Sequence, residues 1–360
     1  FRRVLFRSVS DNYYDLGGDS IHAIKIIAIL DSRLKLKVTI GDLLNHLSIG
    51  DLAAFLESGD SNQESAPALM PIQDSSPNYS SVGRGQYPVS SAQKRLYILD
   101  QLTKDKLSYH IPEIWNLKGK LDKESLINAF KKLIERHEIL RTSFELSDDI
   151  PVQVVHDSID FEIPVSVMDE VAAREHIRSF IKPFELDQAP LFRTEIIELE
   201  PDNHLLLFDA HHIIIDAFSM EVLKRDIFDL YQGIEPAPLK LQYKDYSIQQ
   251  NSFLKREQAQ KKKEYWMKRF SGNIPVIDLP LDYPRTAGHS TEAGVLSFAL
   301  DQKLTAEIKS LSSELGVSTF MILLTVYNIV MHKYTKQDDI IIGVTTVGRE
   351  IGRASCRERV

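Results

Sequence analysis

Two adjacent imidazoles and a carboxylate, His211, His212 and Asp216, are separated only by Ile213, Ile214 and Ile215. Histidine is the side chain best suited to move a proton near neutral pH. The trio follows an apolar run, Leu205–Phe208, so the stretch 203–219 reads as a buried strand delivering its polar residues to a cleft. On an alternating strand His211 and His212 point to opposite faces, and only one of them can meet a substrate. Divergent neighbours with no compact third ligand make a poor zinc site. A core strand ending in satisfied polar residues remains the plainer alternative. A second candidate is Ser20, in Asp15-Leu16-Gly17-Gly18-Asp19-Ser20. The segment reads as a turn and helix cap, and it exposes a hydroxyl beside flexible glycines where another protein could reach it.

The elements that must position these groups alternate between helix and strand. Asp19 or Ser20 can cap a helix with apolar Ile21, Ile24, Ile27, Ala28 and Leu30; further helical signals cover 40–47 and, capped by Ser48, 49–56. Gly59 closes this small unit. Residues 58–86 read as a linker rich in Ser, Pro, Gly, Asn and Gln, with Leu69, Met70 and Ile72 able to dock on a neighbour. A helix then starts near Ser90 with Ala92, Leu96 and Leu99 along one side, and a strand covers 111–118. Asp122–Arg136 is a strong helix with the stripe Leu126, Phe130, Leu133, Ile134. Strands are expected at Phe144, at 152–155, and as a pair at 191–199 and 205–210 joined by a turn over 201–203; a helix is expected over 172–180. After Asp216 the period changes to that of a helix through Met220, Leu223, Ile227 and Leu230, capped by Ser219 and stopped by Gly233. An irregular crossing over 234–247 leads to one long charged helix, 247–269. The remainder holds a Pro- and Gly-rich bridge (274–290), a strand (295–299), helices at 305–315 and 319–334, and a strand (340–345). No Gly-rich phosphate loop appears, which leaves a dinucleotide fold little support.

The 360 residues suffice for two or three domains and carry a formal charge of −8. Lys and Arg are scattered, and the one dense run, 255–263, is broken by Glu and Gln, so no nucleic-acid groove is expected. The longest apolar stretch, 317–331, is too short and too mixed to span a bilayer, and no signal peptide is visible. Residues 1–8 and 350–360 resemble translated sequencing adapters and are set aside. That removes six arginines, two glutamates and the single cysteine, Cys356. No disulfide or cysteine nucleophile is then expected, which fits a cytoplasmic protein. The chain is read as a fragment cut at both ends.

The stretch 11–26, DNYYDLGGDSIHAIKI, resembles the attachment region of the carrier (thiolation) domains of nonribosomal peptide synthetases. The resemblance implies a 4′-phosphopantetheine carried covalently on Ser20 and loaded by a phosphopantetheinyl transferase. Downstream, five stretches resemble the motifs of condensation domains in family order: 91–97 (SAQKRLY), 136–144 (RHEILRTSF), 211–219 (HHIIIDAFS), 243–246 (YKDY) and 342–349 (IGVTTVGR). The implied fold is the two-lobed α/β condensation fold, like chloramphenicol acetyltransferase in each lobe, with an incomplete second lobe. Ahead of it stands a small all-α carrier bundle lacking its first helix. Expected bounds are 9–57 for the carrier, 58–86 for the linker, 87–265 for the first lobe and 266–349 for the partial second lobe. The implied activity is amide formation: a carrier-bound peptidyl thioester is transferred to the amine of a downstream aminoacyl thioester.

By resemblance His212 is the catalytic imidazole, either as general base or as the group that positions the amine and stabilises the oxyanion. His211 is structural. Asp216 is architectural, in a salt bridge with Arg349 or, failing that, Arg285. His137 makes structural hydrogen bonds beside the cleft with Arg141. Implied partners are an upstream adenylation domain and downstream adenylation and carrier domains. Two departures stand out. Asp19 is associated with carriers ahead of epimerising domains, and Ala217 replaces the motif's glycine. They leave open a dual epimerisation and condensation domain, or a non-catalytic carrier and docking fragment inactive through truncation. Alanine at 217 is strained only if the position needs positive φ or a close backbone approach.

Overall fold

A computed structural model describes residues 8–10, 13, 26, 30, 36, 38, 42–43, 46, 48–58, 85–103, 106–283 and 294–344. In chain order its elements are α1 (Ile49–Ser58), β1 (Gln86–Pro88), α2 (Ser91–Leu102), β2 (His110–Lys118), α3 (Lys123–Arg136) and a 3-10 turn (Glu138–Arg141). Next come β3 (Thr142–Ser147), β4 (Ile150–Val155), β5 (Val165–Val167), α4 (Glu170–Phe180), β6 (Phe192–Glu200) and β7 (Asn203–His211). Five helices follow: α5 (Ala217–Tyr231), α6 (Tyr243–Leu254), α7 (Glu257–Arg269), α8 (Gln302–Leu315) and α9 (Thr319–Thr335). The described residues divide into two compact units, one within 68–264 and the other within 1–67 and 265–352. Each is described by itself.

In the first of these units β7 is the organising strand. It lies between antiparallel neighbours β2 and β6, and β5 adds to β6 in parallel, giving the order β2-β7-β6-β5. A strand with neighbours on both edges and cover on both faces needs a nearly continuous apolar run. Leu206, Phe208 and Ala210 face a core shared with Leu126, Phe130 and Leu133 of α3 and Met220, Leu223 and Ile227 of α5. Leu205 and Leu207 face the other way, onto Ile197 and Ala173 of α4. Beyond Leu207 that second face turns polar: Asp209 and His211 on β7 stand beside Arg193 and His110 in the ladder register. A smaller antiparallel sheet, β1-β4-β3, completes the unit.

Local signals explain the helix starts. The Ser90 hydroxyl accepts from the Gln93 amide while Gln93 returns the bond, a capping box. Asp122, Asp169 and Asp216 accept from amides in the first turns of α3, α4 and α5. Asp216, not Ser219, is therefore the cap of α5; Ser219 sits one turn inside as the bonded partner. The most buried side of α2 is Gln93, Tyr97 and Asp100, with Ala92, Leu96 and Leu99 only half-buried. Polar partners seal that side, which a hydrophobicity pattern cannot register.

The expected crossing over 234–247 ends sooner, because Asp245 caps the amide of Gln242 and starts α6 at Tyr243. The single helix 247–269 is two helices, broken where the Arg256 amide turns back to Phe253 O instead of continuing the α-helical ladder. Gln86, the last residue of the expected linker, opens β1, whose residues pair with β4.

In the other unit, Tyr13, Val38, Leu43 and Leu52 form a small core with Ile26, Leu30 and Phe55 against it. The Ser48 hydroxyl caps α1 by accepting from the Asp51 amide at 3.0 Å. The expectations for Ile21, Ile24, Ile27, Ala28 and Gly59, and for docking by Leu69, Met70 and Ile72, lie outside the described residues. Asp301 and Ser318 cap α8 and α9. The strands expected at 295–299 and 340–345 are not found among the described residues, where 295–299 and 340–344 belong to no ladder. Extended backbone becomes a strand only when its N–H and C=O groups find a neighbour.

Candidate active site

The β7–α5 corner places the motif histidines. β7 ends at His211, and the His212 amide leaves the ladder to donate to Tyr109 O at 2.7 Å. His212 then turns its ring so that Nδ1 lies 2.9 Å from Ile215 O. A carbonyl only accepts, so Nδ1 carries a hydrogen, and in the neutral ring the lone pair is then on Nε2. His212 as a whole is half-buried. His211 is enclosed instead, at 1% exposure. Its Nδ1 accepts from the Ile213 amide at 3.1 Å, which places its hydrogen on Nε2, 3.9 Å from Asp100 Oδ1. Lys106 in turn pairs with Asp100 at 2.9 Å. The two imidazoles thus have opposite tautomers and different surroundings.

Asp216 ends the corner as a cap: its Oδ1 accepts from the Ser219 amide at 2.9 Å and the Ser219 hydroxyl at 2.6 Å. Arg349 and Arg285, the expected ionic partners, lie outside the described residues, as does Ser20. Ala217 is the first residue of α5, exposed, and not among the positive-φ positions, which among the described non-glycine residues are Asp148, Asp149 and Lys336. Its dihedrals are ordinary for alanine, so no left-handed strain attends the glycine's replacement.

The structure does not bring His137 and Arg141 together. The Arg141 guanidinium donates to His156 O and lies 3.7 Å from Glu138. His137 is fully buried, with Nε2 2.9 Å from Asp226 Oδ2 on α5. Arg136 Nε at 2.9 Å and Arg225 at 2.7 Å complete the cage around that carboxylate. Burial alone would raise Asp226, but the hydrogen bonds from His137, Arg225 and Arg136 outweigh it and hold the carboxyl far below the usual range. Burial pushes the His137 imidazole down against the pull of Asp226. The neutral form fits its geometry, since Nε2 donates to Asp226 while Nδ1 is sealed without a partner. Asp226 was missed from sequence, yet it breaks the apolar side of a helix, three residues after Leu223, and that is a readable signal.

Two of the other motifs, 136–144 and 243–246, meet in a joint that also takes in Ser90, just ahead of the first motif. The Tyr243 hydroxyl bonds the Ser90 hydroxyl at 2.6 Å, and Lys244 pairs with Glu138 at 2.9 Å. His110, Asp209 and Asp100, which line the polar face behind the corner, carried no sequence motif. Among the described residues no cluster of three or more His, Cys, Asp or Glu could hold a metal ion. No single described helix is long and apolar enough to cross a membrane.

The Condensation domain family matches residues 83–356, and the Phosphopantetheine attachment site family matches residues 4–56, which include Ser20. Bacitracin synthase 3 of Bacillus licheniformis is 40% identical over 342 residues, covering 95% of this chain and 5% of that protein. Surfactin synthase subunit 2 of Bacillus subtilis is 40% identical over 341 residues, covering 95% of this chain and 9% of that one. The chain therefore spans a small part of these relatives' length. Among solved structures, the X-domain from teicoplanin biosynthesis superposes with a TM-score of 0.65 at 25% identity, covering 74% of this chain and 60% of that one. With its two-sheet α/β unit, its His-His-Ile-Ile-Ile-Asp corner and the match over 83–356, the chain belongs to the condensation-domain family of nonribosomal peptide synthetases, with a phosphopantetheine attachment region ahead of it.

Proposed function

We propose that this region forms amide bonds by acyl transfer, from a peptidyl thioester on a carrier to the α-amine of an aminoacyl thioester on the downstream carrier. The observation that supports it is the His212 tautomer: Nδ1–H is committed to Ile215 O, which leaves Nε2 to accept from a substrate amine. As the amine nitrogen bonds to the thioester carbonyl carbon, Nε2 takes the N–H hydrogen bond or the proton itself. The carbon–sulfur bond then breaks, and the proton ends on the leaving thiolate. His211 and Asp216 hold the corner, and His137 fixes α3 to α5 through Asp226. Arg349 is the proposed further partner of Asp216, and Arg141 braces the 3-10 turn beside His156.

Ser20 is the proposed site of 4′-phosphopantetheine, whose thiol supplies the thioester linkage. The domain bounds that follow are a carrier at 9–57, a linker at 58–86, a first lobe at 87–265 and a partial second lobe at 266–349. The working protein is a cytoplasmic multidomain synthetase with adenylation domains on either side, a downstream carrier and a phosphopantetheinyl transferase as partners. The test is to charge the donor and acceptor carriers of that synthetase and follow intact mass. Amide-linked product on the downstream carrier is expected; both thioesters recovered unreacted overturn the proposal.

A further inference from the structure

Behind the motif histidines lies a buried pair that the proposed chemistry does not use. His110 opens β2 directly opposite His211, and its Nδ1 lies 2.9 and 3.1 Å from the two carboxylate oxygens of Asp209 on β7. Both side chains are sealed, at 2% and 0% exposure. Phe184 stacks on the His110 ring at 4.9 Å and also lies under the Arg193 guanidinium at 3.9 Å. Arg193 Nε in turn stands 3.8 Å from Asp209. The His110 Nε2 is buried without a partner, and Nδ1, facing a carboxylate that only accepts, carries the hydrogen of the bridge.

The residue before His110 matters most. Tyr109 supplies the carbonyl that holds the His212 amide at 2.7 Å. The side-chain bridge from Asp209 to His110 and the backbone bond from Tyr109 to His212 therefore close one ring of contacts around the end of β7. Cross-strand side-chain bonds of this kind fix the two strand ends against each other.

We infer that His110 and Asp209 are positioning residues for acyl transfer: their buried hydrogen bond locks Tyr109 O in place and, through it, the backbone from which His212 presents Nε2. This rests on His212 being the acyl-transfer group. Neither side chain touches substrate. Their effect is to keep the His212 ring where an amine can meet it, and small displacements at such a distance cost rate and not binding.

Two polar substitutions separate positioning from bulk structure. In His110→Asn the side-chain amide places a donor where Nδ1–H stands; in His110→Gln the donor falls nearer the Nε2 position. Expected in the charged synthetase are a kcat within about threefold of the parent for His110→Asn and a loss of about 10- to 100-fold for His110→Gln, with KM for the aminoacyl carrier unchanged in both. Equal rates in the two variants, or a loss confined to KM, overturn the inference.

Hydrogen exchange supplies an activity-independent arm should His110→Gln not fold. In the parent chain the His212 amide should exchange as slowly as the amides of Leu206 and Phe208. Rapid exchange there contradicts the ring of contacts, whatever His212 does in catalysis. Unimpaired product formation by His212→Ala would instead defeat the catalytic reading and leave the exchange result standing.

Discussion

Helices α5 and α9 are built from similar local signals, and only one of them has a core. α5 begins at a capping Asp216 and buries Met220, Val222, Leu223, Ile227 and Leu230. α9 begins at a capping Ser318, ends in the left-handed Lys336, and is the more uniformly apolar of the two, yet buries none of its residues. Caps and period make a helix; stability comes from the surface it finds to pack against. α5 finds β7 and α3, and that packing in turn aims the turn that carries His212. Side chains of equal hydrophobicity therefore differ in worth by their place in the chain, and the His212 geometry inherits its rigidity from the α5 side of the comparison.

The largest effect expected is in that core. Phe130→Ala removes a fully buried ring from the face shared by α3, α5 and β7, and should cost about 3–5 kcal/mol of unfolding free energy in a urea titration. Leu323→Ala on α9, where the side chain is 45% exposed, should stay within about 0.5 kcal/mol. Comparable losses at the two sites would break the comparison.

A smaller effect is expected at Asp226, the charged tie between α3 and α5. Asp226→Asn keeps the shape but removes the charge facing Arg136, Arg225 and His137, for a loss of about 1.5–3 kcal/mol at neutral pH. The pH dependence has a definite sign. The carboxyl is held below its unfolded value, so its stabilisation is present above about pH 4 and is lost as pH falls toward the folded value. His137 is also held down, so the unfolded chain takes up its proton first and stability falls below about pH 6.5. Both groups make the fold weaken on acidification. The parent should lose more melting temperature than Asp226→Asn between about pH 4 and pH 2; matched slopes would remove Asp226 from the account.

Much of the fold could be read from sequence because its signals are local. The stripe of α3, the β6–β7 hairpin and the period change after Asp216 all stand within a few residues of one another. The tautomer of His212 could not be read, because it depends on Ile215 O turning back across the corner. Asp226 and His137 are 89 positions apart, and His110 and Asp209 are 99 apart. No pattern within one element reports such pairs. The break between α6 and α7 falls at Lys255 and Arg256, where no glycine or proline announces it. The question left by Ala217 needed its backbone φ, which only a three-dimensional structure supplies.

The central claim is that His212, through an unprotonated Nε2, serves the transfer step and that its neighbour His211 does not. It is tested most directly by single-turnover amide formation in the charged synthetase with His212→Ala, with thioester loading verified by intact mass. The expected result is normal loading and a transfer rate lowered by about 100-fold or more. Transfer within about twofold of the parent rate would contradict it.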